Sequence, residues 1–361
     1  MGINVNKVGI IGGGGWGTAI GKVLAQAGND VQIWAHETDL VKHINEDHDN
    51  SLFLPGVRLP QNLVASNDIV EVASGKDFLI FATPSMYTLA AVKKLVSVPD
   101  IMEGQTPIGV LTKGFVHTSK GPRLLLQAME DYLPGSYKDG LVFISGPSHA
   151  EEVARGKLTG LVAASRNPMN SVRFKHLLNK PPLMVFSSLD IVGVQVSAAV
   201  KNVIAIAFGI LDALKDNSEF IGDNTESLML AAGLNEILTL AAALGCTHLE
   251  TISSIAGVGD LDVTCRSVHG RNRRFGREIV LKNILEPFKS IEDLNNNFQQ
   301  IGYIPEGAVA VRYVAEFARN MNLRLPISMG VFRVLNRETS PLQEINGFLK
   351  NLHTLNMDFL V

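Results

Sequence analysis

Short apolar, β-branched runs alternate with longer amphipathic or small-residue stretches from the start of the chain to about residue 187. This alternation predicts parallel strands joined by crossover helices: an α/β fold with a Rossmann-type, doubly wound, mostly parallel sheet. Strands are expected at 8–11, 31–34, 78–81, 108–111, 142–144, 160–163 and 183–186. The clearest helix runs from 17 to 27, with Gly28 as its C-terminal stop. From Asp190 onward the β-like runs disappear, and Ala, Leu and Ile recur at helical spacing over 228–244 and 308–320. The expected organisation is a Rossmann-type α/β domain over 1–189 and an all-α domain over 190–361. Asn295, Asn296 and Asn297 read as an exposed loop.

Composition narrows the function classes. A chain of 361 residues suggests about two domains, and a net charge of −3 offers too little basic excess to hold a nucleic acid. The two cysteines, Cys246 and Cys265, can form at most one bridge, which favours a reducing, cytoplasmic setting. The apolar run after Lys7 is broken at once by Gly12 to Gly15, unlike a secretory signal, and the start Met1-Gly2-Ile3-Asn4-Val5-Asn6 lacks the sixth-position hydroxyl of a myristoylation site. The stretch 191–211 is long and apolar enough to cross a bilayer, yet Lys201 and Asn202 lie at its centre. A central lysine costs roughly 2.5–3.5 kcal/mol on insertion, so the segment reads as a buried helix and no integral membrane segment is expected.

Candidate chemistry begins at Gly12, Gly14 and Gly17, a Gly-x-Gly-x-x-Gly set directly after a strand and directly before a helix. There glycines let the backbone approach a pyrophosphate, which would sit on the helix N-terminus. A glycine-rich turn can also serve close packing alone, but the strand, helix and second strand around it favour dinucleotide binding. An acidic residue usually ends the second strand of an NAD site. Here that end reads Trp34-Ala35-His36-Glu37, which excludes neither NAD nor NADP.

Lys201 is the most informative residue further on. Burial favours a neutral amine and brings it toward the range useful for proton transfer, whereas the structural alternative is a lysine that snorkels or pairs with a carboxylate. At about 100° per residue Ser197 falls near Lys201, and Gln195 near Asn202, giving this apolar helix a polar flank. The run Gly257 to Thr264 reads as a flexible turn delivering carboxylates. Arg271, Arg273, Arg274 and Arg277 then crowd together, which points either to an anionic, phosphorylated ligand or to a solvated basic face. Ser148 and Glu151 have capping-box spacing, marking a helix start beside the sheet, and Thr112-Lys113-Gly114 ends another strand, where a lone lysine is more often solvated than functional.

Six motifs in order carry a resemblance: Gly-Gly-Gly-Gly-Trp-Gly-Thr-Ala at 12–19, Thr-Lys-Gly at 112–114, Ser-Gly-Pro-Ser at 145–148, Val-Lys-Asn-Val-Ile-Ala at 200–205, Gly-Val-Gly-Asp-Leu at 257–261 and Arg-Asn-Arg-Arg-Phe-Gly at 271–276. The chain resembles the NAD(P)-dependent glycerol-3-phosphate dehydrogenases over nearly its whole length. The resemblance implies that Gly15, Trp16, His36, Lys113 and Ala150 touch the dinucleotide together with the glycine set, and that Ile304 and Glu306 flank it. Lys201 would donate and accept the proton, and Lys113, Gly146, Ser148, Asn202, Asp260, Thr264, Gly270, Arg271 and Asn272 would line the substrate pocket, with Arg271 shared by the cofactor. Gly270 stands where bacterial members often have Ser but could still offer a backbone N–H, Ser148 stands where Thr is usual, and the segments 215–224 and 294–301 are longer than in relatives.

The implied activity is reversible reduction of dihydroxyacetone phosphate to sn-glycerol 3-phosphate with NAD(P)H, supplying glycerophospholipid synthesis. A homodimer, a small phosphorylated substrate and no metal are expected. The rival readings are a β-hydroxyacid or ketopantoate-type reductase and a non-catalytic nucleotide sensor.

Overall fold

The structure is a computed structural model and describes residues 5–215, 218–219 and 221–351. Met1 to Asn4, on which the reading of the N-terminus drew, lie outside the described residues, as do positions 216, 217 and 220 of the longer segment 215–224.

The strands are β1 Lys7–Ile11, β2 Asp30–Trp34, β3 Leu63–Ser66, β4 Phe78–Phe81, β5 Ile108–Val110, β6 Phe115–Thr118, β7 Gly121–Leu124, β8 Val142–Ser145, β9 Thr159–Ala164 and β10 Leu183–Ser188. Eight of them form one sheet in the order β10-β9-β8-β5-β4-β1-β2-β3, and β6 and β7 make a separate hairpin. All seven expected runs are strands of the large sheet. β1, β4 and β8 are almost wholly apolar because both faces are covered, which is why they stand out in the sequence. β3 was not expected: it has four residues, pairs only with β2, and leaves Val64 44% exposed, so it carries too short a pattern to read. A second difference concerns direction. β9 runs antiparallel to β8, with Ile144 opposite Ala163, whereas alternation alone predicts parallel neighbours. The connection between them holds only the five-residue helix Ala150–Ala154.

The chain divides into two compact units, residues 1–116 with 123–194, and residues 117–122 with 195–361. In the first unit β1 lies between β2 and β4, so the chain builds β2 and β3 on one side before crossing to the other. Loops leaving β1 and β4 therefore part in opposite directions at their carboxyl ends, where open α/β sheets bind ligands. The helix Gly15–Gln26 follows β1 within four residues and packs on β2, while Pro168–Leu178 packs on β9 and β10.

Among the described residues, the regular structure of the second unit is helical apart from the hairpin tip. Two helices among the described residues, Ile191–Lys215 and Asp223–Ala243, are long and apolar enough to cross a membrane, and the apolar stretch of the first is wholly buried in the protein. Asn295 is also buried, inside the helix Ile291–Asn296, so the asparagine run is not the exposed loop its composition implied; its Nδ2 donates to the carbonyl of Ala308 at 3.4 Å.

Glu236 is the unusual core residue. The helix Pro326–Leu335 has Leu325 at its N-cap and no cap of its own, so a carboxylate from Asp223–Ala243 substitutes. Its oxygens accept from the N–H groups of Ile327 and Ser328 and from the Ser328 hydroxyl. Burial outweighs these donors and pushes the Glu236 carboxyl up to about 7 from its ordinary 4.5. The unfolded chain thus loses this proton first, and stability falls as pH rises from about 4.5 to about 7, then levels. Glu236→Gln cannot ionise and should gain on wild type by about 1–3 kcal/mol across that window, read from urea unfolding at pH 4.5 and 8. Parallel profiles for the two proteins would show that Glu236 does not hold its proton.

Candidate active site

In the first unit four of the five glycines at 12–17 divide by task. Gly12 has φ of 131°, and a Cβ there would lie 2.7 Å from the backbone of Ala82, just beyond β4. A Cβ on Gly17 would meet the Gly12 carbonyl at 2.2 Å, and one on Gly15 the Phe53 carbonyl at 2.6 Å. Those three are needed for packing. A Cβ on Gly14 would meet nothing within 4 Å, so this residue alone borders open space. Gly14 is also the N-cap of Gly15–Gln26, with no side-chain cap and no acidic residue in the first turn. The Trp16 indole Nε1 is buried without a hydrogen-bond partner among the described residues.

Around this turn the structure gathers some, not all, of the expected residues. Ala150 lies beside it, its Cβ 3.6 Å from where a Gly15 Cβ would be. His36 is exposed past the end of β2. Lys113 is half-buried and donates to the Gly146 carbonyl at 3.3 Å, so it is not the solvated lysine that the bland reading favours. The Ser148 hydroxyl donates to the same carbonyl at 2.8 Å. Ser148 is therefore not a helix cap: Ala150–Ala154 has His149 at its N-cap and no side-chain cap, and the capping-box reading fails because the Ser148 hydroxyl is turned back onto the strand exit.

In the second unit Lys201 is 5% exposed and Asp260 fully buried. The Lys201 ammonium donates to Asp260 Oδ1 and, at 2.8 Å, to the Thr264 hydroxyl, which itself donates to the Asp260 carbonyl at 2.6 Å. The supposed flexible turn is helical: a single π-turn Ile255–Gly259 runs into Asp260–Arg266, sending Asp260 and Thr264 inward one turn apart while Asp262 pairs outward with Arg266 at 2.7 Å. Asn202, next to the lysine, accepts from Asn272 Nδ2 at 2.9 Å, and Asn272 Oδ1 accepts from the Gly307 N–H at 2.9 Å. Ile304 and Glu306 are half-buried, and Glu306 opens the helix Glu306–Asn320. The Ser197 hydroxyl is buried with no hydrogen-bond partner among the described residues.

The arginines separate sharply. Arg273 and Arg277 both clamp Asp212, at 2.6 and 2.5 Å, and although burial pushes that carboxyl up, the two guanidinium groups outweigh it and hold it below its usual range. Arg274 pairs with Glu278 at 3.0 Å. Arg271 is exposed at the first position of its helix and makes no ion pair among the described residues. The N–H of Gly270 bonds the Ser267 carbonyl at 3.2 Å, so the donor it was expected to offer is taken.

Residues 7–171 match the NAD-dependent glycerol-3-phosphate dehydrogenase N-terminus, and residues 190–346 match the C-terminus of the same family. A glycerol-3-phosphate dehydrogenase (NAD(P)+) of Treponema denticola is 50% identical over 351 residues, covering 96% of this chain and 98% of that protein. The Bacillus subtilis protein of the same name is 34% identical over 336 residues, covering 92% and 90%. The solved structure of glycerol-3-phosphate dehydrogenase from Coxiella burnetii gives a TM-score of 0.82 at 30% identity, covering 96% of this chain and 99% of that one. The chain belongs to the NAD-dependent glycerol-3-phosphate dehydrogenases.

A dinucleotide fits this dehydrogenase on its own geometry, because an uncapped helix start, an open face at Gly14 and an unpartnered indole N–H are what a pyrophosphate and its sugars use. Sequence reading missed Asn50, a buried amide that reaches the glycine turn from 37 residues away and whose only signal is an asparagine before an apolar loop. The division of the glycines gives a test. Gly14→Ala should leave the melting temperature within about 2 °C, since it overpacks nothing, yet weaken NADH binding at least about tenfold; Gly17→Ala should instead cost about 1–3 kcal/mol of stability. Unaltered binding by Gly14→Ala, read by fluorescence titration, would move the pyrophosphate elsewhere.

Proposed function

We propose that this dehydrogenase reversibly reduces dihydroxyacetone phosphate to sn-glycerol 3-phosphate with NAD(P)H, and so supplies glycerophospholipid synthesis. The observation that carries the reading is the buried Lys201 ammonium held by Asp260 and Thr264, in a unit where Arg271 pairs with no carboxylate among the described residues. Bound nicotinamide supplies a hydride to C2 of the ketone, or accepts it from the alcohol.

The chain's own residues do the rest. Lys201 Nζ donates a proton to the C2 oxygen as negative charge builds on it, and takes that proton back in the oxidative direction. An ammonium there both stabilises charge and transfers the proton, effects that each commonly exceed about 100-fold in rate. Asp260 favours the charged amine and Thr264 fixes its direction. Arg271 clamps the phosphate, and Asn202 and Asn272, already linked to each other, line the pocket. In the first unit Gly14, Gly15, Trp16, His36, Lys113 and Ala150 hold the dinucleotide, with Lys113, Gly146 and Ser148 also meeting substrate. Cys246 and Cys265 are unbridged, in keeping with a cytoplasmic setting, and a homodimer is part of the same proposal. No observation favours a ketopantoate-type reductase or a sensor.

Oxidation of NADH and NADPH should require the phosphate ester, with dihydroxyacetone and ketopantoate inert. Lys201→Ala should lower turnover by at least about 100-fold with nucleotide affinity within about twofold; equal loss of both would overturn the proton assignment. Arg271→Ala should raise KM for dihydroxyacetone phosphate by about 10–100-fold and erase its advantage over dihydroxyacetone. Retention of that advantage would place the phosphate on another residue.

A further inference from the structure

The loop after His48, itself in a left-handed conformation with φ of 51°, lies against the glycine turn. Asn50 is fully buried there. Its Nδ2 donates to the Gly13 carbonyl at 2.8 Å and to Thr18 Oγ1 at 2.7 Å, and its Oδ1 accepts from the Phe53 N–H at 2.9 Å. Thr18 Oγ1 donates to the Gly13 carbonyl as well, at 3.3 Å, closing a three-membered polar knot. Both amide protons of Asn50 are thus spent inside the protein, and its side chain has no donor left for a ligand.

The consequence follows from one peptide plane. The Gly13 carbonyl and the Gly14 N–H belong to the same trans peptide and point in opposite directions. Anchoring the carbonyl on Asn50 therefore turns the Gly14 N–H away from the loop and keeps it there. Gly13, Gly14 and Gly15 are successive residues without side chains, so this peptide is held by the polar knot and by the helix start, where the Gly14 carbonyl accepts from the Thr18 N–H at 3.0 Å, and not by side chains of its own. A turn that must be ordered on each binding event binds more weakly than one ordered beforehand.

We propose that Asn50 is a positioning residue of this dehydrogenase: it pre-orders the Gly13–Gly14 peptide and so sets dinucleotide affinity without touching the dinucleotide. The inference rests on the assignment of the glycine turn to the pyrophosphate. In the full-length protein Asn50→Ala should raise the NADH dissociation constant and KM by about tenfold, with kcat at saturating nucleotide within about twofold and KM for dihydroxyacetone phosphate unchanged. Asn50→Asp keeps an acceptor for the Phe53 N–H but donates to the Gly13 carbonyl only when protonated. Its NADH affinity should therefore recover toward the wild-type value as pH falls from 8 to 5, a trend a merely structural role would not produce. Thr18→Val should add little to Asn50→Ala, because the knot is already broken.

Wild-type affinity in Asn50→Ala, or turnover lost in step with affinity, would overturn the role of Asn50 while leaving the nucleotide site intact. Wild-type protein that binds neither NADH nor NADPH would overturn both. If Asn50→Ala does not fold, Asn50→Asp decides between pH 5 and 8: a flat profile relative to wild type would overturn the proposal.

Discussion

An ammonium 5% exposed and a carboxylate fully buried can coexist in a helical core only where each meets the other and the remaining protons and lone pairs find partners. In this dehydrogenase that requirement organises the second unit. Lys201 is carried mid-helix by Ile191–Lys215, so its backbone cannot yield; Asp260 and Thr264 must come to it, and they do so on one face of Asp260–Arg266. The neighbouring Asn202 extends the polar seam to Asn272 and from there to the start of Glu306–Asn320. Three helices are thus registered on the lysine helix by polar contacts. A well-packed apolar group would often serve stability equally well, which argues that the pair is kept for its chemistry.

The first unit solves a different problem, how to leave donors free without leaving the backbone loose. The sheet supplies rigidity, because β1 is buried between β2 and β4 and its exit at Gly12 is hydrogen-bonded to Trp34. Gly12 and Gly17 let helix and strand meet at distances no side chain would permit, and Gly15 does the same for the Phe53 loop. Gly14 is left open. Rigidity is imposed from outside the turn, by the Asn50 knot and by the helix itself.

The arginine cluster shows how tertiary structure edits a sequence signal. Four guanidinium groups within seven residues read alike, as an anion site or as a solvated face. The helix Arg271–Leu281 turns them in different directions: Arg273 and Arg277 meet Asp212, Arg274 meets Glu278 and stacks 4.8 Å over the Tyr303 ring, and Arg271 at the helix start meets no carboxylate among the described residues. Which arginines are taken depends on Asp212, 61 residues before Arg273, and on Glu278, one turn further along the same helix as Arg274.

Some of this was legible before any coordinates. Apolar runs stand out at all seven positions where they were expected, most plainly in strands covered on both faces such as β1, β4 and β8, the glycine set between a strand and a helix marks the nucleotide turn, and a lysine inside an apolar helix draws attention because its burial is costly. These are local patterns, readable over a few residues. Missed or misread were β3, whose single hydrogen-bonded neighbour leaves only a four-residue signal; the antiparallel β9; the Ser148 hydroxyl turned away from its capping role; the buried Asn295; and Asn50. All but the Ser148 hydroxyl, which turns to a carbonyl two residues back, depend on a partner further off along the chain. By itself, then, the sequence determined the order of elements, the place of the glycine turn and the candidacy of Lys201. Only tertiary structure decided strand direction, which glycines are steric necessities, and which charges are spent on one another, because burial and pairing exist only once remote segments share the same space.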